Sequence, residues 1–386
     1  MTKPGWLSRR SFAQMAVASA LTARSRWLSA AMKTAITTPW SGLAFVGSFD
    51  APQGVHVYAV TGNQWRLRQV ATSEAPVSLA LHPNGRWLYV LNEISEYRGL
   101  PCGSVESFRF DEEAGQLMSI GRQALSLSAT MPRHIGITPD GQALVVAVHG
   151  GGAYNLLPIL SDGRAGRVTS VIKETGCGPV AKQQESAHPQ SVIFDSTGSR
   201  FLASDLGADR ISVFSCERGF EVQSRFDLPA GSGPRHLALH PKGRFLYVTR
   251  AIDNAVSGFR YDSESGTIKD RLTSTAGGCG EALAMHPSGH FLYTAGNGEI
   301  AAWSVDSSSG ALNRVRSSNL ALEPGTSVYE MRVLPDGRAL LVLTNLGVTR
   351  AEIDPHSGRL FNMTVAAVVP DARSIAMRSL NTLRDH

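Results

Sequence analysis

The residues of this chain best suited to chemistry are Arg235 and His236, which open an apolar segment in GPRHLALHPKGRFLYVTRAIDN. The triplet Pro-Arg-His occurs a second time, beginning at Pro132. A guanidinium binds carboxylates and developing oxyanions through a planar fork of donors. An imidazole accepts and donates protons near neutral pH. The two side chains together suit a hydrolytic site or a site for a small anion.

A repeat along the chain predicts the scaffold that positions them. Units of the form HPKGRFLYVTRA place a glycine at intervals of 56, 57, 45, 46 and 48 residues, and a degenerate copy surrounds Gly42. The six glycines are Gly85, Gly141, Gly198, Gly243, Gly289 and Gly337. Each unit has an apolar strand, a turn in which glycine adopts the required conformation, a second apolar strand and two weaker strands. This predicts an all-β fold, a seven-bladed β-propeller of four-stranded antiparallel blades.

The end of the chain is predicted to close the ring of blades. The copy at Gly42 begins with the second strand of its blade, so that blade lacks an innermost strand. The segment DARSIAMRSL, residues 371–380, has the same pattern as GPRHLALH and can supply it. Closure of this kind removes exposed sheet edges, which would otherwise pair with other chains.

The predicted hairpins sort the polar residues by face. The starts of first strands and the ends of second strands meet on one face of the disc, around the central channel. His82, His240 and His286 lie in turns on the opposite face, at equivalent repeat positions, and are predicted to serve the hairpins. The candidate site residues on the channel face are Glu93, His134, His149, His188, Asp205, Arg235, His236 and Arg250.

The first 31 residues predict an export signal. They contain twin arginines, Arg9 and Arg10, then a modest apolar run from Phe12 to Leu21 and small residues before Ala31. This is typical of a twin-arginine signal peptide, and the alternative is a basic, disordered N-terminus. The apolar run is too short to span a bilayer. We therefore expect a signal peptide over 1–31, a single propeller domain over 32–386, and a periplasmic or secreted protein without a membrane span.

The charge of the chain argues against a nucleic-acid partner. The formal net charge is +5, but residues 1–31 contribute five basic residues and no acidic one. The remainder has 32 basic and 32 acidic residues, so it carries no net positive charge that would bind phosphate backbones.

Cysteine spacing gives no sign of a metal site. Cys102, Cys177, Cys216 and Cys279 show no C-x-x-C pair, and their disulfide pairing cannot be read from these positions. We expect no metal and no cofactor.

Three stretches resemble a known family: GSGPRHLALHPKGRFLYV, AHPQSVIFDSTGSRFLASDLGADRISVF and LALHPNGRWLYVLNE. They are similar to the lactonase family of seven-bladed propellers, which includes propeller-type 6-phosphogluconolactonases and carboxymuconate-lactonising enzymes. The resemblance implies a catalytic histidine at His188 and an arginine at Arg235. The family glutamate falls where this chain has Arg250 and Ala251.

The resemblance implies an exported lactone hydrolase acting on a small sugar or carboxylated lactone. His188 is then the candidate base, and Arg235 the group that stabilises the anion. The remaining channel-face residues become candidates for substrate binding. The alternative is a non-catalytic propeller that binds a small ligand or a protein partner on the same face, an alternative favoured by the alanine at position 251.

Overall fold

A computed structural model describes residues 39–216, 219–276, 280–316 and 320–379. The predicted signal peptide and the residue Cys279 lie outside the described residues. The segment Trp40–His386 forms one compact unit. Within the described ranges this unit consists of strands and turns, and it contains no helix that is long and apolar enough to cross a membrane.

The strands follow one another along the chain in groups of four. The first three are β1 (Ser41–Ser48), β2 (Gly54–Thr61) and β3 (Gln64–Thr72). The next groups are β4 (Pro76–Leu81), β5 (Trp87–Asn92), β6 (Ser104–Asp111), β7 (Gln116–Ala124); β8 (Pro132–Ile137), β9 (Ala143–Val148), β10 (Ala153–Pro158), β11 (Ser170–Lys173); and β12 (Pro189–Phe194), β13 (Arg200–Asp205), β14 (Arg210–Ser215), β15 (Val222–Asp227). The last groups are β16 (Pro234–Leu239), β17 (Phe245–Arg250), β18 (Ala255–Asp262), β19 (Thr267–Ala276); β20 (Ala282–Met285), β21 (Phe291–Gly296), β22 (Glu299–Val305), β23 (Leu312–Arg314), β24 (Leu320–Ala321); and β25 (Val328–Val333), β26 (Ala339–Thr344), β27 (Gly347–Ile353), β28 (Leu360–Ala367), followed by β29 (Ala372–Ser379).

These strands form seven antiparallel sheets, here called blades 1 to 7. Blade 1 has the order β29-β1-β2-β3, and each later blade begins with its first strand in the chain at the innermost position. Blade 6 has a fifth short strand, since β24 pairs with β22 beside β23. The predicted all-β, seven-bladed propeller is therefore confirmed.

Burial along the strands follows from the stacking of blades. The second strand of blade 5, β17, is buried at all six positions, because both of its faces pack against neighbouring blades. The outermost strand of blade 4, β15, alternates between exposed and half-buried residues. Between blades 5 and 6, Tyr247 and Val256 pack with Leu292 and Ala301. The hydrophobic core is thus a series of layers between blades, with no single centre.

The C-terminal strand closes the ring as predicted. β29 pairs with β1 along most of its length, from Gly42 opposite Ser379 to Ser48 opposite Ala372. It also touches the blades on both sides. The Leu79 amide donates to Ser374 Oγ at 3.1 Å, and the Ile375 amide donates to a carboxylate oxygen of Glu330 at 3.2 Å.

The turn histidines join successive blades. His82 Nε2 lies 3.1 Å from the carbonyl oxygen of Gly141, and His286 Nε2 lies 2.9 Å from that of Gly337, in each case one blade further on. The Nδ1 atom of each ring accepts the backbone N–H of the residue two places later. Since a carbonyl oxygen only accepts, Nε2 carries the proton. The predicted structural role of these histidines agrees with these contacts.

Candidate functional site

A β-bulge at the second residue of the innermost strands builds the candidate site. In six blades the register with the second strand shifts by one residue at this point. The extra residue leaves the ladder, and a bulge of this kind re-aims its side chain. All six side chains line one cavity of about 200 Å³ in the central channel. These bulge residues are Val77, Arg133, Gln190, Arg235, Tyr329 and Arg373. We call this end of the channel the mouth.

A second ring of side chains lies one residue further along the same strands. It consists of Ser78, His134, Ser191, His236, Glu330 and Ser374, which also line the cavity. Several of them accept a backbone N–H from the next blade: Ile135 donates to Ser78 at 3.2 Å, and Val192 donates to His134 Nδ1 at 3.3 Å. This ring therefore ties adjacent inner strands together. His134, predicted to bind substrate, has one nitrogen committed to that bond.

Two of the three arginines at the mouth have carboxylate partners. Arg133 donates to Glu93 Oε1 at 2.5 Å, and Arg373 donates to Asp371 Oδ2 at 2.7 and 3.0 Å. Arg235 differs. No carboxylate in the described part of the chain lies within ion-pair distance of its guanidinium.

The environment of Arg235 is electrostatically strained. Burial lowers the pKa of its guanidinium, and the nearby Arg133 and Arg373 act in the same direction, whereas Glu281 opposes them. An arginine remains protonated under these conditions. A buried positive charge without a counter-ion gains free energy when an anion arrives. Arg235 is therefore the side chain at the mouth most ready to bind a negative charge.

His188 lies beside the mouth, at the start of β12. Its ring is 7% exposed and stacks on the His149 ring, with 4.2 Å between centroids. His188 Nδ1 lies 3.1 Å from the His149 carbonyl oxygen, so Nδ1 carries the proton and Nε2 has the lone pair. Glu185 Oε1 lies 3.5 Å from this Nε2. The contacts thus leave Nε2 as the basic atom of His188.

His149 connects His188 to the cavity. Its Nδ1 accepts the Gln190 side-chain N–H at 2.7 Å, and Gln190 is one of the bulge residues. Burial, with a contribution from Arg133 and His188, lowers the pKa of His149 to about 4. His149 is therefore neutral at pH 7 and a weak proton acceptor.

Asp205 holds the backbone of His188 in place. Its Oδ1 accepts the amide N–H of His188 at 2.7 Å and that of Ala208 at 3.0 Å. Burial raises the pKa of Asp205 to about 6, although the two amide donors oppose this shift. Asp205 does not line the cavity, so its contact with the candidate site is through His188.

The structure does not bring Arg250 to the cavity. Arg250 is buried at the end of β17, and its Nη2 lies 2.9 Å from a carboxylate oxygen of Asp253. Among the described residues, Arg235 and His236 are the members of blade 5 with a polar side chain that line the cavity. Residues at the ends of second strands therefore lie behind the inner strands, contrary to the ring that the sequence suggested.

Comparison with known proteins identifies the family. A model described as "Lactonase, 7-bladed beta-propeller" matches residues 43–377, most of the chain. The chain belongs to this lactonase family.

Curated relatives of this lactonase-family chain carry one name. A 6-phosphogluconolactonase of Bacillus subtilis is 26% identical over 234 residues, which cover 59% of this chain and 65% of that protein. A 6-phosphogluconolactonase of Pectobacterium atrosepticum is 29% identical over 235 residues, covering 59% of this chain and 63% of the relative. The chain thus aligns with slightly less than two thirds of the length of these relatives.

Solved structures share the whole propeller. A periplasmic gluconolactonase of Pseudomonas aeruginosa is 27% identical with a TM-score of 0.78, covering 88% of this chain and 99% of that one. A protein of Bacteroides fragilis, 23% identical, shows the same fold with a TM-score of 0.78 over 89% of this chain and 99% of that one.

Sequence reasoning missed three residues that this lactonase-family chain places at the mouth: Gln190, Tyr329 and Arg373. The Arg373 side chain lies over the Tyr329 ring, 3.9 Å from its centroid, and pairs with Asp371. A signal for Arg373 existed. In DARSIAMRSL it occupies the position that Arg235 has in GPRHLALH, two segments already matched as inner strands.

Buried neutral histidines make the stability of the propeller depend on pH. Burial is the main cause that lowers the pKa of each, to about 4 for His134 and His149. The full set is His134, His149, His236, His240 and His286. The unfolded chain takes up these protons near pH 6.5, whereas the folded protein does so only nearer pH 4. Stability from these groups is therefore present above pH 6.5 and is lost as the pH falls below it.

We expect the free energy of unfolding to fall by at least ~2 kcal/mol between pH 7 and pH 5. Asp205 acts in the opposite direction, since its raised pKa lets the folded protein bind a proton first as the pH falls below about 6. Five histidines outweigh this one carboxyl group. Urea denaturation at pH 7, 6 and 5 measures the effect, and a constant unfolding free energy over this range would contradict it.

Proposed function

We propose that this protein hydrolyses a small sugar or carboxylated lactone at the mouth of the channel. The observation that carries the proposal is Arg235, a cavity-lining arginine that has no ion-pair partner among the described residues. The names of the relatives support the reaction, since those proteins are called 6-phosphogluconolactonase or gluconolactonase.

Arg235 stabilises the charge that develops during hydrolysis. Attack of water on the lactone carbonyl places a negative charge on its oxygen. A positioned donor for such an oxyanion contributes about 3 to 4 kcal/mol to lowering the barrier. Because Arg235 has no carboxylate to leave, it meets the oxyanion without breaking an ion pair.

His188 is the proposed general base. Its Nε2 accepts a proton from water as the water oxygen bonds to the carbonyl carbon. The ring C–O bond then breaks, and the proton passes from Nε2 to the departing alkoxide, so that lactone and water give one hydroxy acid. His149 suits this role less well, since its pKa is lowered to about 4.

A binding function without catalysis is the second candidate. The family glutamate position holds Ala251 beside Arg250, and Arg250 is already paired with Asp253. Without that glutamate, a propeller of this kind would bind a small ligand or a protein partner at the same mouth.

A panel of lactones separates the two candidates. Glucono-δ-lactone and other aldonolactones are supplied to the purified protein, and released acid is followed by pH-stat above the spontaneous rate. We expect turnover, and we expect His188→Asn to lower kcat by about 10² to 10⁴. Activity of cells expressing the full chain is expected in the periplasmic fraction, as the twin-arginine signal predicts.

His82→Asn is the matched control, because His82 contacts Gly141 on the opposite face. It is expected to keep the wild-type kcat. Binding of a lactone without acid release would favour the non-catalytic alternative, and equal kcat for His188→Asn and the wild type would remove His188 as the base.

A further inference from the structure

The charges at the mouth are almost balanced, and this limits the substrate. Arg133, Arg235 and Arg373 supply three positive charges. Glu93 and Asp371 each neutralise one of them through a direct ion pair. One positive charge, on Arg235, is left without a partner among the described residues. It matches the single negative charge that develops on the lactone oxygen.

The two carboxylates belong to one continuous network with the arginines. Glu93 lies at the end of blade 2 and contacts Arg133 of blade 3, and its charge is also felt by Arg373 and Asp371 of blade 1. Both carboxylates are well buried, with 13% of the Glu93 side chain and 11% of the Asp371 side chain exposed. Charges held at this depth are weakly screened by salt, so they act on any ligand in the mouth.

We propose that Glu93 and Asp371 determine specificity by excluding phosphorylated lactones. A phosphate monoester carries about −1.5 to −2 charges at pH 7, which exceeds the one uncompensated positive charge. If phosphate took Arg235, no unpaired arginine would remain for the oxyanion, and Glu93 and Asp371 would repel the phosphate at close range. Placing like charges against the unwanted ligand is a general means of specificity. This inference rests on the proposed lactone hydrolysis, and it predicts a substrate that differs from that named for the Bacillus subtilis relative.

The size of the cavity agrees with a small, unphosphorylated ring. Its volume of about 200 Å³ lies below the ~300 to 1,000 Å³ of sites for drug-sized ligands. Tyr329 and Arg373 occupy one side of it, stacked at 3.9 Å.

Substitution of Glu93 tests the proposal through turnover. For the wild type we expect kcat/KM to be at least ~10-fold higher with glucono-δ-lactone than with 6-phosphogluconolactone. Glu93→Gln keeps the size and a hydrogen-bond acceptor but removes the charge, so this ratio should fall by ~10-fold, an electrostatic change of about 1.4 kcal/mol. Asp371→Asn should shift the ratio in the same direction.

Glu74→Gln is the control of equal charge change. Glu74 pairs with Arg122 at 3.1 Å, is largely exposed and does not line the cavity. It should leave the ratio unchanged. A wild-type preference for the phosphorylated lactone, or an equal shift in Glu74→Gln, would overturn the inference while leaving lactone hydrolysis intact.

Phosphate binding tests the same inference without any turnover. Inorganic phosphate, titrated by calorimetry, should bind Glu93→Gln at least ~10-fold more tightly than the wild type or Glu74→Gln. Thermal melting of each variant shows that it is folded. Equal phosphate affinity in all three folded proteins would contradict the role of Glu93, even if no lactone were a substrate.

Discussion

A chain that ends at Pro370 is expected to lose cooperative folding, because it lacks β29. This strand supplies the innermost position of blade 1 and pairs with β1 from Gly42 to Ser48. Its Ala372 and Ile375 are fully buried, so their removal exposes apolar surface of the neighbouring blades. The truncation also leaves β1 as an unpaired inner edge, which is a template for aggregation.

Circular dichroism during heating and size-exclusion chromatography measure this result. A peptide of residues 371–379 added during refolding provides the control, since it offers the missing strand without the covalent link. Recovery of a cooperative transition with the peptide is expected. If the truncated chain alone melted cooperatively at the temperature of the full chain, closure by β29 would not be needed for the fold.

Arg235→Ala is expected to lower kcat/KM for the lactone by about 10² to 10³, the effect of removing one oxyanion donor. The melting temperature should change little, because Arg235 forms no ion pair with a described carboxylate. Removing a buried charge that lacks a counter-ion does not destabilise the fold by leaving a partner unsatisfied.

Arg250→Ala is the matched control in the same blade. Its guanidinium is buried and paired with Asp253, so its loss leaves that carboxylate without its partner. We expect a lower melting temperature for Arg250→Ala. If Arg235→Ala instead melted early and retained normal turnover, Arg235 would serve the fold, and the proposed oxyanion role would be wrong.

Sequence reasoning was sufficient for the architecture because the information is local and repeated. Each glycine, such as Gly243 with a φ of +69°, lies in a left-handed turn between two apolar strands. A turn residue and the strands that flank it are encoded within about a dozen positions, and the repeat supplies six copies of the same evidence. The missing inner strand at Gly42 and the matching segment at residues 371–380 then predicted the closure by β29.

The composition of the mouth was decided by the tertiary structure, because it depends on pairings between distant segments. The bulges aim Arg235 and Arg373 into the cavity, and a bulge is a mismatch between two paired strands that neither strand encodes alone. The partners Glu93 and Arg133 are 40 positions apart and come from different blades. Arg250 looked equivalent to Arg235 along the chain, but it lies behind the inner strand and pairs with Asp253. The sequence by itself therefore determined the ring of blades, and only the packing of blades around the channel decided which charges are paired and which one is left for a ligand.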